Sequence, residues 1–146
     1  MKTKILIISF LVTISLFAEF NHFKHRDYGF SMATKIDNIL CEIVLSKQEG
    51  VIGLTFLVQP TTYKPRNLEI DNLIINLTDF FTVGDSFVCR IYSINDMKNI
   101  LQKIVSGKKI YIKTEYGGYL FDFIKYKNDI SKNNAYKELM SFLYLT

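Results

Sequence analysis

The chain has 146 residues, with 18 basic and 14 acidic side chains and a formal net charge of +4. This length predicts a single domain. Two of the positive charges, Lys2 and Lys4, lie in an N-terminal segment that we expect to be removed, so the net charge of the remainder falls by two, to +2. The remainder has no basic cluster longer than two adjacent residues. The charge pattern therefore does not indicate nucleic-acid binding, and we expect no nucleic-acid partner.

The N-terminus predicts export. Lys2 and Lys4 precede an uncharged run from Ile5 to Ala18. This run is too short for a comfortable membrane span, which needs ~20 apolar residues, but it has the charge and length of a secretory signal peptide. We expect residues 1–18 to be a signal peptide and residues 19–146 to be one periplasmic or secreted domain with no stable membrane span. The alternative is an uncleaved N-terminal anchor.

The first half of this domain predicts antiparallel strands. Apolar side chains alternate with polar ones, as is typical of strands. Gly50 suits the left-handed position of a hairpin loop between the second and third strands. Residues 60–66 contain both prolines and predict an irregular loop. In chain order, the predicted strands are Tyr28–Thr34, Ile39–Ser46, Val51–Gln59 and two short strands within Asn67–Leu77.

The stretch from Ser86 to Tyr126 gives the clearest local prediction. Ser86–Tyr92 alternates as a strand. Ser93 then occupies an N-cap position before Ile94–Val105, whose apolar residues recur every three or four positions as in an amphipathic helix. Two further strands flank Gly117-Gly118, a pair typical of a two-residue hairpin turn. That turn predicts a register with Tyr116 opposite Tyr119 and Lys113 opposite Asp122.

A last helix is predicted to run to about Leu143, capped by Ser131, Asn133 or Asn134. Together these elements predict an α+β domain. It would contain five to seven mostly antiparallel strands, arranged as a sheet or sandwich, with two helices in the C-terminal half.

The two cysteines, Cys41 and Cys89, both lie on the apolar side of a predicted strand. In an oxidising compartment an even number of cysteines favours a disulfide. Closing that loop would contribute roughly 4 kcal/mol in the chain-entropy model. We therefore predict a Cys41–Cys89 disulfide; the alternative is two buried free thiols.

The sequence offers few residues for catalysis. His22 and His25 have a spacing that can hold a metal, with Asp27 as a third ligand, but a solvated N-terminal tail explains them more simply. The chain has no other histidine, so a histidine-based nucleophile triad is not expected. A hydrolase would need converging carboxylates, for which the strand-borne candidates are Glu42, Asp71, Glu115 and Asp122. We predict a non-enzymatic protein without a metal or cofactor.

Aromatic residues indicate binding instead. Tyrosine is enriched at interfaces because its ring is apolar and its tip is polar. The candidate interaction surface consists of Tyr63, Tyr92, Tyr111 and Tyr126. A second set of aromatic residues would line an apolar pocket between sheet and helix, namely Phe80, Phe81, Phe121 and Phe123. The first set predicts a binding protein with a protein or envelope partner; the second predicts a small-molecule or lipid carrier.

The C-terminal half also has a recognisable order of elements. A Cys-Glu strand opens at Cys41, a later strand carries Cys89, a helix ends before Gly107-Lys108, and a paired strand and a last helix follow. This order resembles the invasion-associated locus B family of exported bacterial proteins over roughly residues 39–143. The resemblance implies a small periplasmic or surface β-rich protein linked to host-cell interaction or envelope stress, with no known catalytic site.

Overall fold

The computed structural model describes residues 22–59, 64–77 and 80–142, and this part of the chain contains ten strands and three α-helices. In chain order the strands are β1 (Phe23–Arg26), β2 (Gly29–Ile36), β3 (Ile39–Gln48), β4 (Val51–Gln59), β5 (Pro65–Ile70), β6 (Leu73–Asn76), β7 (Phe80–Val83), β8 (Ser86–Ile91), β9 (Ile110–Thr114) and β10 (Gly117–Phe121). The helices are α1 (Ile94–Val105), α2 (Lys127–Lys132) and α3 (Asn134–Ser141), with a 3-10 turn at Ile124–Tyr126 before α2. None of these helices is long and apolar enough to cross a membrane.

The strands form two antiparallel sheets. The six-stranded sheet has the order β1-β2-β3-β4-β8-β7, and the four-stranded sheet has the order β10-β9-β5-β6. This arrangement confirms the predicted α+β class with mostly antiparallel strands. The strand number exceeds the predicted five to seven. One reason is that β1 and β7 lie outside the predicted strands.

One face of the six-stranded sheet, here called the front face, contributes to the main core. This face carries Phe30, Ile43 and Phe56. Side chains of the four-stranded sheet, such as Leu68, and of α1, such as Ile100, belong to the same buried cluster. Because both sheets and the helices share this cluster, burial of apolar surface there is the main force that holds the elements together.

The opposite face of the six-stranded sheet, here called the back face, has a smaller apolar cluster. Val44, Leu57 and Val88 are buried there, with Phe81 and Val83 packed against them. The central strands therefore bury side chains on both faces. This explains why β3 contains a nearly continuous apolar run instead of the strict alternation of a half-exposed strand.

The helix α1 confirms the sequence prediction at both ends. It spans Ile94–Val105, and the hydroxyl of Ser93 accepts a hydrogen bond from the backbone N–H of Asp96 at 3.3 Å. The predicted last helix is instead two helices, because Asn133 has an extended backbone between α2 and α3. Its side-chain oxygen accepts a hydrogen bond from the N–H of Ala135 at 3.0 Å and so caps α3.

The β9–β10 hairpin differs from its predicted register. The turn residues are Glu115 and Tyr116, so that Gly117 pairs with Thr114 and Gly118 pairs with Lys113. The prediction treated the two glycines as the turn, but Gly118 lies within the strand. A Cβ at this position would lie 2.1 Å from the ring of Tyr111, so glycine is needed there to make room for that ring.

The shift in register also changes an ion pair. The predicted partner of Asp122 is Lys113, but Lys113 pairs in the sheet with Gly118. The amine of Lys109 lies 3.9 Å from the carboxylate of Asp122 instead. The observed pairing displaces one strand along the other by an even number of residues from the predicted pairing. The same side chains of the hairpin therefore still point into the core.

The predicted Cys41–Cys89 disulfide is wrong in this structure. Neither cysteine forms a disulfide, and both are buried on the front face. Cys41 lies on β3 and Cys89 on β8, and β4 pairs between these two strands. Two strand spacings separate the backbones by about 9–10 Å, whereas a disulfide needs Cα atoms within about 7 Å. Burial, with a smaller effect of the neighbouring Glu42, raises the pKa of the Cys41 thiol and disfavours its reactive thiolate.

Candidate functional site

The back face concentrates polar groups that have no hydrogen-bond partner. Pairing places Ser31, Val44, Thr55 and Arg90 in one row across β2, β3, β4 and β8. Buried atoms without a partner occur at the Ser31 hydroxyl, at both carboxylate oxygens of Glu42, at Oε1 of Gln48 and at Nε and Nη2 of Arg90. A buried polar atom without a partner costs free energy, so such a concentration on one face calls for a functional explanation.

Two of these groups border the same cavity. Its volume is about 250 Å³, and it lies beside the β3–β4 hairpin on the back face. Strands β3, β4 and β8 and the residues that follow β3 and β8 supply its walls. The lining residues are Ser46, Gln48, Glu49, Val51, Gly53, Thr55, Arg90 and Tyr92. We call this cavity the Arg90 pocket.

The guanidinium of Arg90 is held in place by a ring. Its Cζ lies 4.9 Å from the ring centroid of Phe81, a cation–π contact between the neighbouring strands β8 and β7. The Nε and Nη2 atoms of Arg90 are buried and have no hydrogen-bond partner among the described residues.

The mouth of the Arg90 pocket is aromatic and apolar. Tyr92 is 52% exposed and Val51 is 57% exposed, and both line the pocket. The Tyr92 ring lies over Gly53, since a Cβ built on that glycine would be 3.3 Å from the ring. An exposed aromatic ring on a glycine platform beside an arginine is the kind of surface at which interface energy concentrates.

Glu42 is the most unusual titratable group on the back face. Its side chain is 0% exposed, and its oxygens have no hydrogen-bond partner in the structure. Burial raises the pKa of Glu42 to about 7, an effect that Arg26 only partly opposes. Nε2 of His22 lies 4.0 Å from Oε1 of Glu42, beyond hydrogen-bond distance. Glu42 is therefore poised to change charge near neutral pH.

The residues considered as metal ligands, His22, His25 and Asp27, do not form one metal-binding cluster in the described part of the chain. His22 lies beside Glu42, whereas Nε2 of His25 lies 3.8 Å from the carboxylate of Asp129. His25 and Asp27 instead line a separate open cavity of about 470 Å³ with Asn133 and neighbouring residues. Nδ1 of His25 lies 3.3 Å from the Asn133 side-chain amide. In the described ranges no cluster of three or more His, Cys, Asp or Glu side chains is arranged to hold a metal ion.

The other carboxylates considered for hydrolysis lie in ion pairs rather than in one cleft. Asp71 pairs with Lys103 at 3.1 Å, and its pKa is lowered mainly by the hydrogen bond from that lysine. Glu115 pairs with Arg66 at 3.1 Å. These exposed pairs explain the carboxylates as parts of the surface.

The tyrosines of the predicted interaction surface lie in different environments. Tyr92 is exposed at the Arg90 pocket, and Tyr111 is half-buried over Gly118. The prediction places Tyr126 on an interaction surface, but this residue is only 7% exposed, because its ring packs against Phe123 and its hydroxyl donates a hydrogen bond to the carbonyl of Ala33 at 2.9 Å. Tyr63 lies outside the described residues.

The predicted apolar pocket residues are also divided. Phe121 and Phe123 are fully buried in the main core. Phe81 packs on the back-face cluster, on the other side of the six-stranded sheet. The side chain of Phe80 lies outside the described part of the structure. Phe81 therefore shares no cavity wall with Phe121 and Phe123.

Comparison with known proteins identifies no relative. No protein-family model matches the chain, and no curated protein and no solved structure matches it.

Proposed function

We propose that this chain is an exported, non-enzymatic binding protein, periplasmic or secreted, whose partner is a protein or another component of the bacterial envelope. Support for export comes from the sequence, in which Lys2 and Lys4 precede the uncharged run of Ile5–Ala18. The likeness to the invasion-associated locus B family agrees with this location. It remains a prediction from the order of the elements.

The observation that carries the binding function is the Arg90 pocket. Arg90 and Gln48 line one cavity, and Tyr92 and Val51 expose aromatic and apolar surface at its mouth. A partner would cover this exposed aromatic and apolar surface. The alternative carrier function has no comparable support, since Phe121 and Phe123 fill a solid core.

Retention of a partner from envelope extract tests this function. We expect the immobilised chain to retain a defined partner and Tyr92→Ala to lose at least about 90% of it, because truncating a central aromatic anchor costs about 2 kcal/mol or more. Tyr28→Ala is the matched control, because Tyr28 is 69% exposed and does not line the Arg90 pocket. Equal retention by both variants, or no specific partner, would contradict the proposal. Circular dichroism checks that both variants are folded.

A further inference from the structure

We infer that, in the chain that keeps its N-terminus, the uncharged run Ile5–Ala18 docks on the back face of the six-stranded sheet and covers it. This inference goes beyond the proposed function and rests on it only for the effect of cleavage. Its basis is a set of side chains that are buried on the back face although no described element packs over them.

The back face is buried more deeply than the described residues explain. Val44, Leu57 and Val88 are at most 3% exposed. Among the described residues their cluster contains only strand residues of the same sheet, whereas the buried apolar residues of the helices and of the four-stranded sheet belong to the main core. Side chains that stand next to one another on a sheet shield each other's flanks but not their tips. A further layer must therefore lie over this face, since a fully buried side chain has neighbours on every side.

The chemistry of the face indicates that this layer is apolar. Ser31 and Glu42 are also fully buried there, and neither the Ser31 hydroxyl nor either carboxylate oxygen of Glu42 has a hydrogen-bond partner. A polar or charged layer would supply donors to these atoms, because burial of unpaired polar groups is costly. The run Ile5–Ala18 has no charged residue and consists mainly of aliphatic and phenylalanine side chains, so it has the required chemistry.

The described chain begins at the edge of the same face. His22 is its first residue, and the carbonyl of His22 accepts a hydrogen bond from the N–H of Ala33 at 2.8 Å. Nε2 of His22 lies 4.0 Å from Oε1 of Glu42, which places the His22 side chain on the back face. The residues before His22 therefore leave the sheet beside Glu42, and only residues 19–21 separate this point from the apolar run.

The run is also long enough to cross the face. Neighbouring strands lie about 4.8 Å apart, so β1 and β8 in the order β1-β2-β3-β4-β8 are separated by about 19 Å. Even in helical form, with a rise of about 1.5 Å per residue, Ile5–Ala18 would be about 21 Å long. The other stretches outside the described ranges, 60–63, 78–79 and 143–146, are too short to cover several strands.

Removal of residues 1–18 on export would uncover this face next to the Arg90 pocket. Phe81 packs against the back-face cluster, and its ring centroid lies 4.9 Å from Cζ of Arg90. The exported chain would therefore gain apolar surface that adjoins its binding site. The burial of Glu42 likewise belongs to the chain that keeps the segment.

Photo-crosslinking within the full chain tests the docking. The chain is made in a membrane-free translation system, so that residues 1–18 are retained, with a photoreactive amino acid in place of Val12. After irradiation, mass spectrometry of the digested monomer locates the crosslinked residues. We expect crosslinks to back-face residues of β3, β4 or β8. Crosslinks that occur only between two chains, that lie elsewhere on the monomer, or that do not form would overturn the inference.

A matched pair of lysine variants completes the test. Leu11→Lys places a charge within the apolar run, and we expect it to reduce the yield of these crosslinks at least about tenfold, because an unpaired charge against an apolar face is costly. Thr3→Lys adds the same charge ahead of the run and should leave the yield unchanged. Equal yields from the two variants would contradict docking through the apolar run. Circular dichroism checks that both variants are folded.

Failure of this inference can be told apart from failure of the proposed function. If the crosslinks are absent although the envelope partner is retained and is lost in Tyr92→Ala, the docking inference is wrong and the binding function stands. If the crosslinks form but no partner is retained, the docking stands and the binding function is wrong.

Discussion

Glu42→Gln is expected to stabilise the protein by about 3 kcal/mol more at about pH 8 than at about pH 4, because the desolvated carboxyl of Glu42 has its pKa raised from 4.5 to about 7. Between these two values the folded chain binds this proton and the unfolded chain does not. The contribution of protonated Glu42 to the free energy of unfolding is therefore largest below the pKa that this group has in the unfolded chain. It decreases as the pH rises towards about 7, and it is lost above that pH. Glutamine cannot ionise, so the variant escapes this loss.

Chemical denaturation of both proteins at several pH values measures the effect. Glu115→Gln controls for the loss of one negative charge on the exposed hairpin turn, and should change the free energy of unfolding by no more than about 0.5 kcal/mol throughout. The same pH dependence in the wild type and in Glu42→Gln would show that Glu42 is solvated and that the back face is open at this point.

Gly29→Ala is expected to destabilise the protein by at least about 3 kcal/mol. A Cβ on Gly29 would lie 2.0 Å from the backbone carbonyl oxygen of Leu45 on the paired strand β3. Backbone atoms cannot swing aside as a side chain can, so β2 and β3 would have to separate. The carbonyl of Gly29 also accepts a hydrogen bond of 2.7 Å from the buried side chain of Asn133, so the shift would disturb the α3 cap. Loss of the free energy of unfolding in urea measures the effect.

Gly50→Ala provides the matched comparison. Gly50 has a φ of +82° but no atom within 4 Å of an added Cβ, so only the backbone strain of about 1–2 kcal/mol is expected. If Gly29→Ala costs no more than Gly50→Ala, the close approach of β2 and β3 at this position is wrong.

Local chemistry explains which elements could be predicted from the sequence. The helix α1 carries its own start signal in Ser93 and its own apolar stripe, so both of its ends are set by neighbouring residues. The β9–β10 hairpin was misplaced because Gly117-Gly118 is also the strongest local turn signal. The Tyr111 ring needs the space over Gly118, and this requirement outweighs the local turn signal. The requirement can be recognised only when the pairing of the two strands is known.

The strand order decides whether the two cysteines can form a disulfide, and the sequence does not reveal this order. Alternation correctly places Cys41 and Cys89 on the apolar side of their strands, and both are in the main core. Whether they meet depends on which strand lies between β3 and β8, and no local pattern specifies that β4 does.

The Arg90 pocket could be predicted only in part, because its composition also depends on the strand order. Tyr92 was among the predicted interaction residues, but Arg90 and Gln48 were not. The alternation of Ser86–Tyr92 does place Arg90 on the face of the strand that points away from the core. This was the only sequence pattern that indicated the position of Arg90. Its meaning depends on register, because only the pairing of β3, β4 and β8 brings Arg90 and Gln48 to one cavity.

Photo-crosslinking from position 92 in living cells tests the central claim most directly. A photoreactive amino acid would replace Tyr92, and the intact mass of the crosslinked product would be measured after irradiation. We predict an adduct with one defined partner on a chain that begins at Glu19, and no such adduct when the photoreactive residue replaces Tyr116, which is 80% exposed away from the Arg90 pocket. Equal adducts from both positions, or no adduct from position 92, would contradict the account of a protein that binds through this pocket, and a full-length chain would contradict removal of residues 1–18.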